Sequence, residues 1–144
     1  MLTIYCDTSI DYHNSICAWA CIIRYGNKEY VHSGHTYDKI CSHYGELWAI
    51  VKALGKAKSF RTKKIIIYSD FEQIPINFKR LANKGSRKQV LKTMKSDLRG
   101  LYVILINYSS KFRIDIIDLP REENPAHQFA SLELKNSREA QVEE

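Results

Sequence analysis

The hydrophobic pattern of the first half of the chain changes its period twice, and this order restricts the folds that the chain can adopt. Residues 2–6, 16–25 and 28–35 are rich in strand-forming side chains, and a Gly-Asn pair between the last two runs predicts a hairpin turn. From Ser42 the apolar residues recur at helical spacing for about four turns. The β-branched run 65–68 then predicts a strand that is covered on both faces. Three antiparallel strands are therefore followed by a helical crossover to a parallel strand.

The second half of the chain predicts three helices and one further strand. Residues 71–81 have mixed helical character, and the next helix begins at a break that Ser86 can cap and keeps one apolar face as far as Leu101. Residues 112–119 alternate as a fifth strand, and residues 125–134 form a last helix. This order predicts the α/β class, with a five-stranded mixed sheet whose first three strands are antiparallel and helices on both faces.

Length and composition favour one soluble globular domain. The chain has 144 residues, of which 44% are hydrophobic and 26% charged, and this is too short for two independent cores. We expect a single domain over residues 1–135 and a polar, frayed tail over residues 136–144. No apolar run approaches the roughly 20 residues that cross a bilayer, and the N-terminus has no signal-peptide pattern. We therefore expect a cytoplasmic monomer with no membrane partner, and four free, buried cysteines.

The net charge of +6 is concentrated in one segment of the chain. Eight cations lie between residues 79 and 99, with Asp97 as the only acid among them. They are Lys79, Arg80, Lys84, Arg87, Lys88, Lys92, Lys95 and Arg99. Such a cluster can neutralise the phosphates of a nucleic acid, which provides affinity without sequence preference. It can equally be the solvated face of a helix, and both interpretations stay open.

Three acidic residues lie where the predicted sheet would bring them together. Asp7 follows the first strand, Asp70 ends the fourth, and Glu46 lies in the first turn of the first helix. Adjacent parallel strands place Asp7 and Asp70 side by side, and Glu46 can join them from the helix packed on the sheet. Such carboxylates repel one another unless cations neutralise them, and oxygen ligands favour Mg²⁺ or Mn²⁺. Taken singly, each acid also has a structural explanation, as a turn former, a helix N-terminal charge or a helix cap.

Six short motifs occur in a fixed order over residues 3–132. They are Ile4-Tyr5-Cys6-Asp7-Thr8-Ser9, Ala18-Trp19-Ala20, Gly45-Glu46-Leu47, Tyr68-Ser69-Asp70-Phe71, Arg121 to Asn124, and Ala126-His127-Gln128-Phe129-Ala130. Together they resemble the motifs of type I ribonucleases H. The resemblance implies endonucleolytic cleavage of the RNA strand of an RNA/DNA hybrid by two Mg²⁺ ions, with Mn²⁺ as an alternative. The products would carry a 5′ phosphate and a 3′ hydroxyl.

The catalytic and metal-binding set that the resemblance implies is Asp7, Glu46, Asp70 and His127. His127 stands where the family has its fourth carboxylate. An imidazole can bind a divalent metal or carry a proton near neutral pH, although a histidine on a helix surface needs no such role. The neighbouring Glu122 or Glu123 is an alternative source of the missing carboxylate.

The residues expected to recognise the substrate also differ from the family pattern. Ser42, His43 and Tyr44 stand where the family has asparagines before the helix glutamate, and Phe71 and Glu72 where it has a glutamine. Strict selection of RNA/DNA hybrids over other duplexes is therefore open. The residues that we expect to contact the RNA strand are Ser9 and His43, and those for the DNA strand are Lys79, Arg80, Lys84, Arg87 and Lys88.

Three other functions compete with the nuclease. The first is a nucleic-acid-binding module of the same fold with little or no activity, which the change at His127 would allow. The second is a proofreading exonuclease, which is disfavoured because Ser9 and Leu132 occupy the places of two required acids. The third is a protein-binding domain that uses Tyr12, Tyr37 and Tyr44.

Overall fold

The computed structural model describes the backbone of residues 1–38 and 40–143 and the side chains up to residue 140. Within these residues five strands form one sheet, in the order β3-β2-β1-β4-β5. The strands are β1 (Leu2–Asp11), β2 (Ile16–Tyr25), β3 (Lys28–Thr36), β4 (Lys64–Ser69) and β5 (Arg113–Asp118). The first three are antiparallel, whereas β4 is parallel to both β1 and β5. The predicted five-stranded mixed sheet is confirmed.

Helices cover both faces of this sheet. The helices are α1 (Ser42–Ala57), α2 (Gln73–Ala82), α3 (Arg87–Lys92), α4 (Ser96–Tyr108) and α5 (Ala126–Glu143), and a 3₁₀ turn spans Arg121–Glu123. The alternate residues Leu2 and Ile4 of β1 belong to the buried cluster that contains Leu47 and Leu54 of α1. A separate buried cluster joins Ile16 and Ala18 of β2 to Leu134 of α5. Because side chains alternate along a strand, α1 and α5 lie on opposite faces.

The helix predicted from Ser86 to Leu101 is in fact two helices, α3 and α4. The Thr93 hydroxyl donates to the Val90 carbonyl at 2.7 Å and ends α3. Arg99 then reaches back from α4, and its Nε donates to the Leu91 carbonyl at 2.9 Å while its Nη2 donates to the Met94 carbonyl at 3.0 Å. A guanidinium therefore satisfies carbonyls that a continuous helix would have satisfied itself.

The last helix is longer than predicted. The helix predicted over residues 125–134 continues to Glu143, through most of the segment expected to be a polar tail. Ser137 is buried and donates to the Glu133 carbonyl at 2.7 Å, and Arg138 Nε donates to Asp11 Oδ2 at 2.6 Å. These contacts anchor a polar stretch that has no apolar pattern of its own.

Two smaller expectations concern the membrane and the cysteines. No helix in the described part of the chain is long and apolar enough to cross a membrane. The four cysteines are free thiols, and Cys6, Cys17 and Cys21 are buried as expected. Cys41 is exposed instead, because it precedes the first turn of α1 at the protein surface.

Candidate metal centre and nucleic-acid surface

Asp7, Glu46 and Asp70 form a compact group, which we call the carboxylate cluster. One carboxylate oxygen from each residue lies within 4.8 Å of the others. Asp7 lies inside β1, which continues to Asp11, and not at the end of the strand as the sequence predicted. The parallel pairing of β1 with β4 still brings Asp7 beside the end of β4, which Asp70 directly follows. Glu46 enters from α1 as the fifth residue of the helix, just after the first turn in which the sequence predicted it. Asp7 and Glu46 are almost completely buried, whereas Asp70 is half-buried.

Two hydroxyl groups hold Glu46 in the cluster. Thr8 Oγ1 donates to Glu46 Oε2 at 3.1 Å, and Ser69 Oγ donates to Oε1 at 2.9 Å. The preceding Gly45 allows α1 to come this close to the sheet. A Cβ at Gly45 would lie 2.6 Å from Cys17 Sγ and 2.8 Å from Thr8 Cγ2. The glycine therefore sets the depth at which Glu46 enters the cluster.

The two oxygens of Asp7 have different surroundings. His127 Nδ1 is 2.7 Å from Asp7 Oδ2, and the carboxylate requires this nitrogen to carry the hydrogen. Among the described residues, no group forms a hydrogen bond with the buried Oδ1.

Asn124 fixes the start of α5 against β1, since its Nδ2 donates to the Cys6 carbonyl at 2.8 Å and its Oδ1 accepts from the Ala126 amide at 3.0 Å. Asn124 thereby places His127 beside Asp7.

Burial and charge repulsion raise the pKa values of Asp7 and Glu46. Burial, followed by the charge of Asp70, raises the pKa of Asp7 to about 6, and the contact with His127 opposes this rise. Burial and the charges of Asp70 and Asp7 raise the pKa of Glu46 well above its usual range. Arg121 Nε donates to Asp70 Oδ2 at 3.2 Å and compensates part of the negative charge.

The cluster fits a divalent metal ion on two grounds. An unpaired, buried carboxylate oxygen lacks the donor that a stable core would supply. Asp7 and Glu46, whose pKa values are raised, also favour a nearby cation, because it would stabilise their ionised forms beside Asp70. Hard oxygen ligands of this kind suit Mg²⁺ or Mn²⁺.

The other predicted catalytic candidates lie around the cluster. The His127 ring is in direct contact with Asp7, and its side chain is 41% exposed. His127 is outside the compact group of possible metal ligands in the described residues, as are the exposed Glu122 and Glu123. Metal binding by any of these three stays a prediction.

His43 contacts other parts of the protein in this structure. The Tyr102 hydroxyl and His43 Nε2 are 2.6 Å apart, and the His43 ring stacks on Phe71 with ring centres 4.7 Å apart. Asn77 Nδ2 also donates to the Tyr102 hydroxyl at 3.1 Å. Burial lowers the pKa of His43. The predicted contact of His43 with an RNA strand stays a prediction, as does that of the half-buried Ser9 on β1.

The predicted DNA-strand residues lie on α2, α3 and the loop between them. Lys79 and Arg80 are in the last turn of α2, Lys84 is in the loop, and these three side chains are exposed together with Lys88 of α3. Arg87 is half-buried, because its Nε donates to the Leu81 carbonyl at 2.8 Å. This segment therefore presents four charges to solvent, and its first helix, α2, begins three residues after Asp70.

Four residues that support the cluster were not among the predicted site residues. They are Thr8, Ser69, Arg121 and Asn124. Each stands in or beside a motif that the sequence already shows, so the motifs were the available signal. Their contacts join residues 23 to 118 positions apart, which no local pattern reveals.

Comparison with known proteins supports the fold. No protein-family model and no curated protein sequence matches the chain significantly. Among solved structures, the N-terminal ribonuclease H domain of a Mycobacterium tuberculosis protein, fused to maltose-binding protein, is 16% identical with a TM-score of 0.73, and 96% of each chain is covered. Ribonuclease H1 from the archaeon Halobacterium salinarum is 18% identical with a TM-score of 0.70, over 94% of this chain and 98% of that one.

A third solved structure contains nucleic acid. It is a ribonuclease H1 isolated from compost by a metagenomic approach, here in complex with an RNA/DNA hybrid. It is 15% identical to the chain with a TM-score of 0.65, over 87% of this chain and 89% of that one. The fold of the chain is therefore that of ribonuclease H, as the motifs predict.

Proposed function

We propose that the chain is a ribonuclease H, a divalent-metal-dependent endonuclease that cleaves the RNA strand of RNA/DNA hybrids and leaves 5′ phosphate and 3′ hydroxyl ends. The observation that carries this proposal is the carboxylate cluster with its unpaired Asp7 oxygen, in a chain of this fold. A solved structure of the same fold is bound to an RNA/DNA hybrid, which supports the substrate class.

The carboxylate cluster would hold two metal ions through Asp7, Glu46 and Asp70. When bound, such ions activate water and stabilise the leaving oxygen of a phosphodiester. The protein contributes the positions of the ligands. Because Thr8 and Ser69 each donate to a different oxygen of Glu46, the orientation of this carboxylate is set before any ion arrives.

His127 and Arg121 would assist from either side of the cluster. Since Nδ1 of His127 donates to Asp7, its Nε2 is free to accept a proton, as a proton carrier requires. Arg121 uses Nε for Asp70, and its side chain is 58% exposed. Its remaining guanidinium donors are therefore accessible to a phosphate oxygen.

The hybrid would lie across the cluster with its DNA strand on the cations of α2 and α3. The proposed DNA-strand residues are Lys79, Arg80, Lys84, Arg87 and Lys88, and the proposed RNA-strand residues are Ser9 and His43. Contacts of this kind position the duplex without reading its sequence.

Cleavage of an end-labelled RNA/DNA hybrid, with Mg²⁺ and with Mn²⁺, tests the proposal. The RNA strand should be cut internally, EDTA should stop the reaction, and the same RNA paired with RNA should be cut far more slowly. Asp70→Asn should abolish cleavage, while Asp115→Asn, an exposed aspartate on β5, should leave it unchanged. Cleavage that persists in Asp70→Asn would refute the role of the carboxylate cluster.

A second candidate function is hybrid binding with little turnover. His127 favours it, because a neutral imidazole replaces a fourth negative charge and should weaken the hold on metal ions. Tight, salt-dependent binding of the hybrid by the wild-type chain, without cleavage in either metal, would establish this function instead.

A further inference from the structure

A large groove lies at the end of the sheet opposite the carboxylate cluster. It has a volume of about 1170 Å³ and runs between α1 and β3, and we call it the α1–β3 groove. In the register of the sheet, its residue Tyr25 pairs with Leu2, whereas Asp7 lies five residues further along β1. The two sites are therefore about 17 Å apart along the strand, at roughly 3.4 Å per residue.

Three aromatic side chains line the α1–β3 groove. The ring of Phe60 lies 5.1 Å from that of Tyr25 and 5.4 Å from that of Tyr30, measured between ring centres. Tyr25 is held in place because its hydroxyl donates to the Arg61 carbonyl at 2.7 Å. Tyr30 is 43% exposed, although tyrosine carries a large apolar ring. The packed rings of Tyr25 and Phe60 therefore lie beside the exposed ring of Tyr30.

The groove is also cationic. Lys28, Lys56 and Arg61 line it with exposed side chains, and none of its described lining residues is acidic. None of these three forms an ion pair with another residue that the structure describes. The neighbouring Glu29 is paired with Arg24 at 2.7 Å. His32, also in the lining, has a lowered pKa because of burial and the charges of Lys56 and Lys52.

Rings and uncompensated cations side by side are the features with which proteins bind single-stranded nucleic acid. Bases stack on the rings and phosphates lie near the cations, whatever the sequence. A double helix keeps its bases stacked on each other and unavailable to such rings. We propose that the α1–β3 groove binds a single-stranded segment of nucleic acid. This binding is separate from the proposed nuclease function and does not depend on it.

A second hollow of about 370 Å³ extends the same edge of the protein. Trp19 lines it, and the Trp19 ring is in edge contact with that of His32 at 5.1 Å between centres. Trp48 lies in the same hollow with Lys52 Nζ 4.8 Å from its ring centre. Aromatic side chains therefore continue beyond the α1–β3 groove, with Lys52 against Trp48 and one acid, Asp38, in the hollow. They give room for a strand longer than one or two nucleotides.

Fluorescence anisotropy with labelled oligothymidine and oligouridine measures this binding directly. The measurement uses the Asp70→Asn protein in EDTA, so that the labelled strand is not cleaved. Both strands should bind, and the logarithm of the affinity should fall with the logarithm of salt concentration with a slope of about −2, since three cations contribute about −0.7 each on a single strand. Absence of binding at low salt would overturn the proposal.

Matched variants locate the binding in the α1–β3 groove. Tyr30→Ala should weaken it by about fivefold or more, because stacking on an exposed ring is lost, whereas Tyr30→Phe should retain it. Lys56→Glu should weaken it and make the salt slope shallower, while Lys135→Glu, on α5 across the sheet, should have little effect. Equal losses in the two lysine variants, or no loss in Tyr30→Ala, would overturn the proposal.

Two further measurements separate this site from the proposed nuclease site. An iodouracil-substituted strand should cross-link to the ring of Tyr30. A cross-link that maps to α2 or α3 instead would overturn the proposal. Cleavage of a short, blunt hybrid should be unchanged in Tyr30→Ala and Lys56→Glu. If the wild-type chain cleaves no hybrid, the nuclease proposal fails, and the binding data still decide the groove.

Discussion

Replacing Asp7 by asparagine should stabilise the metal-free protein at neutral pH. Folding raises the pKa of Asp7 from 3.8 to about 6. A shift of about 2 units, at about 1.36 kcal/mol per unit, means that ionised Asp7 costs the folded state roughly 3 kcal/mol. This cost already includes the favourable contact with His127, because that contact is among the causes of the pKa value. Asparagine carries no charge and avoids the cost.

The pH dependence has a definite sign. Between pH 3.8 and about 6, Asp7 is mostly protonated in the folded protein and mostly ionised in the unfolded chain. The free energy of unfolding of the wild type therefore increases as the pH falls through this window. This stabilisation by the Asp7 proton is lost as the pH rises. The advantage of Asp7→Asn should be about 3 kcal/mol near pH 7.5 and should vanish near pH 4.

Urea denaturation in EDTA at several pH values measures this difference. Comparing two proteins at each pH cancels the opposite contributions of His32 and His43, whose pKa values are lowered in the folded state. Asp115→Asn is the control and should change stability by no more than about 0.5 kcal/mol. An Asp7→Asn protein that is less stable than the wild type near neutral pH would refute the electrostatic reasoning. Added Mg²⁺ or Mn²⁺ should stabilise the wild type more than the variant.

Three other predictions test the surroundings of the carboxylate cluster. His127→Ala should slow hybrid cleavage while His127→Asp preserves or increases it with Mg²⁺, and unchanged rates in both would place His127 outside the reaction. Gly45→Ala should cost about 1–3 kcal/mol, since its Cβ would meet Cys17 and Thr8, and should impair cleavage. The control Gly100→Ala has no atom within 4 Å of the new Cβ and should stabilise α4 by about 0.5–1 kcal/mol in thermal denaturation. Arg138→Ala should lower the melting temperature, because it removes the ion pair that joins α5 to the buried Asp11, and protection of the α5 amides from hydrogen exchange should fall beyond Leu134. Full protection would show that the ion pair does not anchor the helix.

The sequence by itself was sufficient to predict the order of strands and helices, apart from the division between α3 and α4, and the meeting of Asp7, Glu46 and Asp70. Both depend on information that is local in the chain. The period of the apolar residues identifies each element, and a parallel β1–β4 pair places residues in register on the two strands side by side.

Only the tertiary structure decided the details that make the cluster and its surroundings work. The break between α3 and α4 depends on Arg99 reaching carbonyls of the preceding helix, and the extension of α5 depends on Asp11, 127 residues before Arg138. The unpaired Asp7 oxygen and the inward position of His43 likewise follow from contacts between distant elements. Side-chain hydrogen bonds need geometry within a few tenths of an ångström, and residue spacing along the chain does not carry that information.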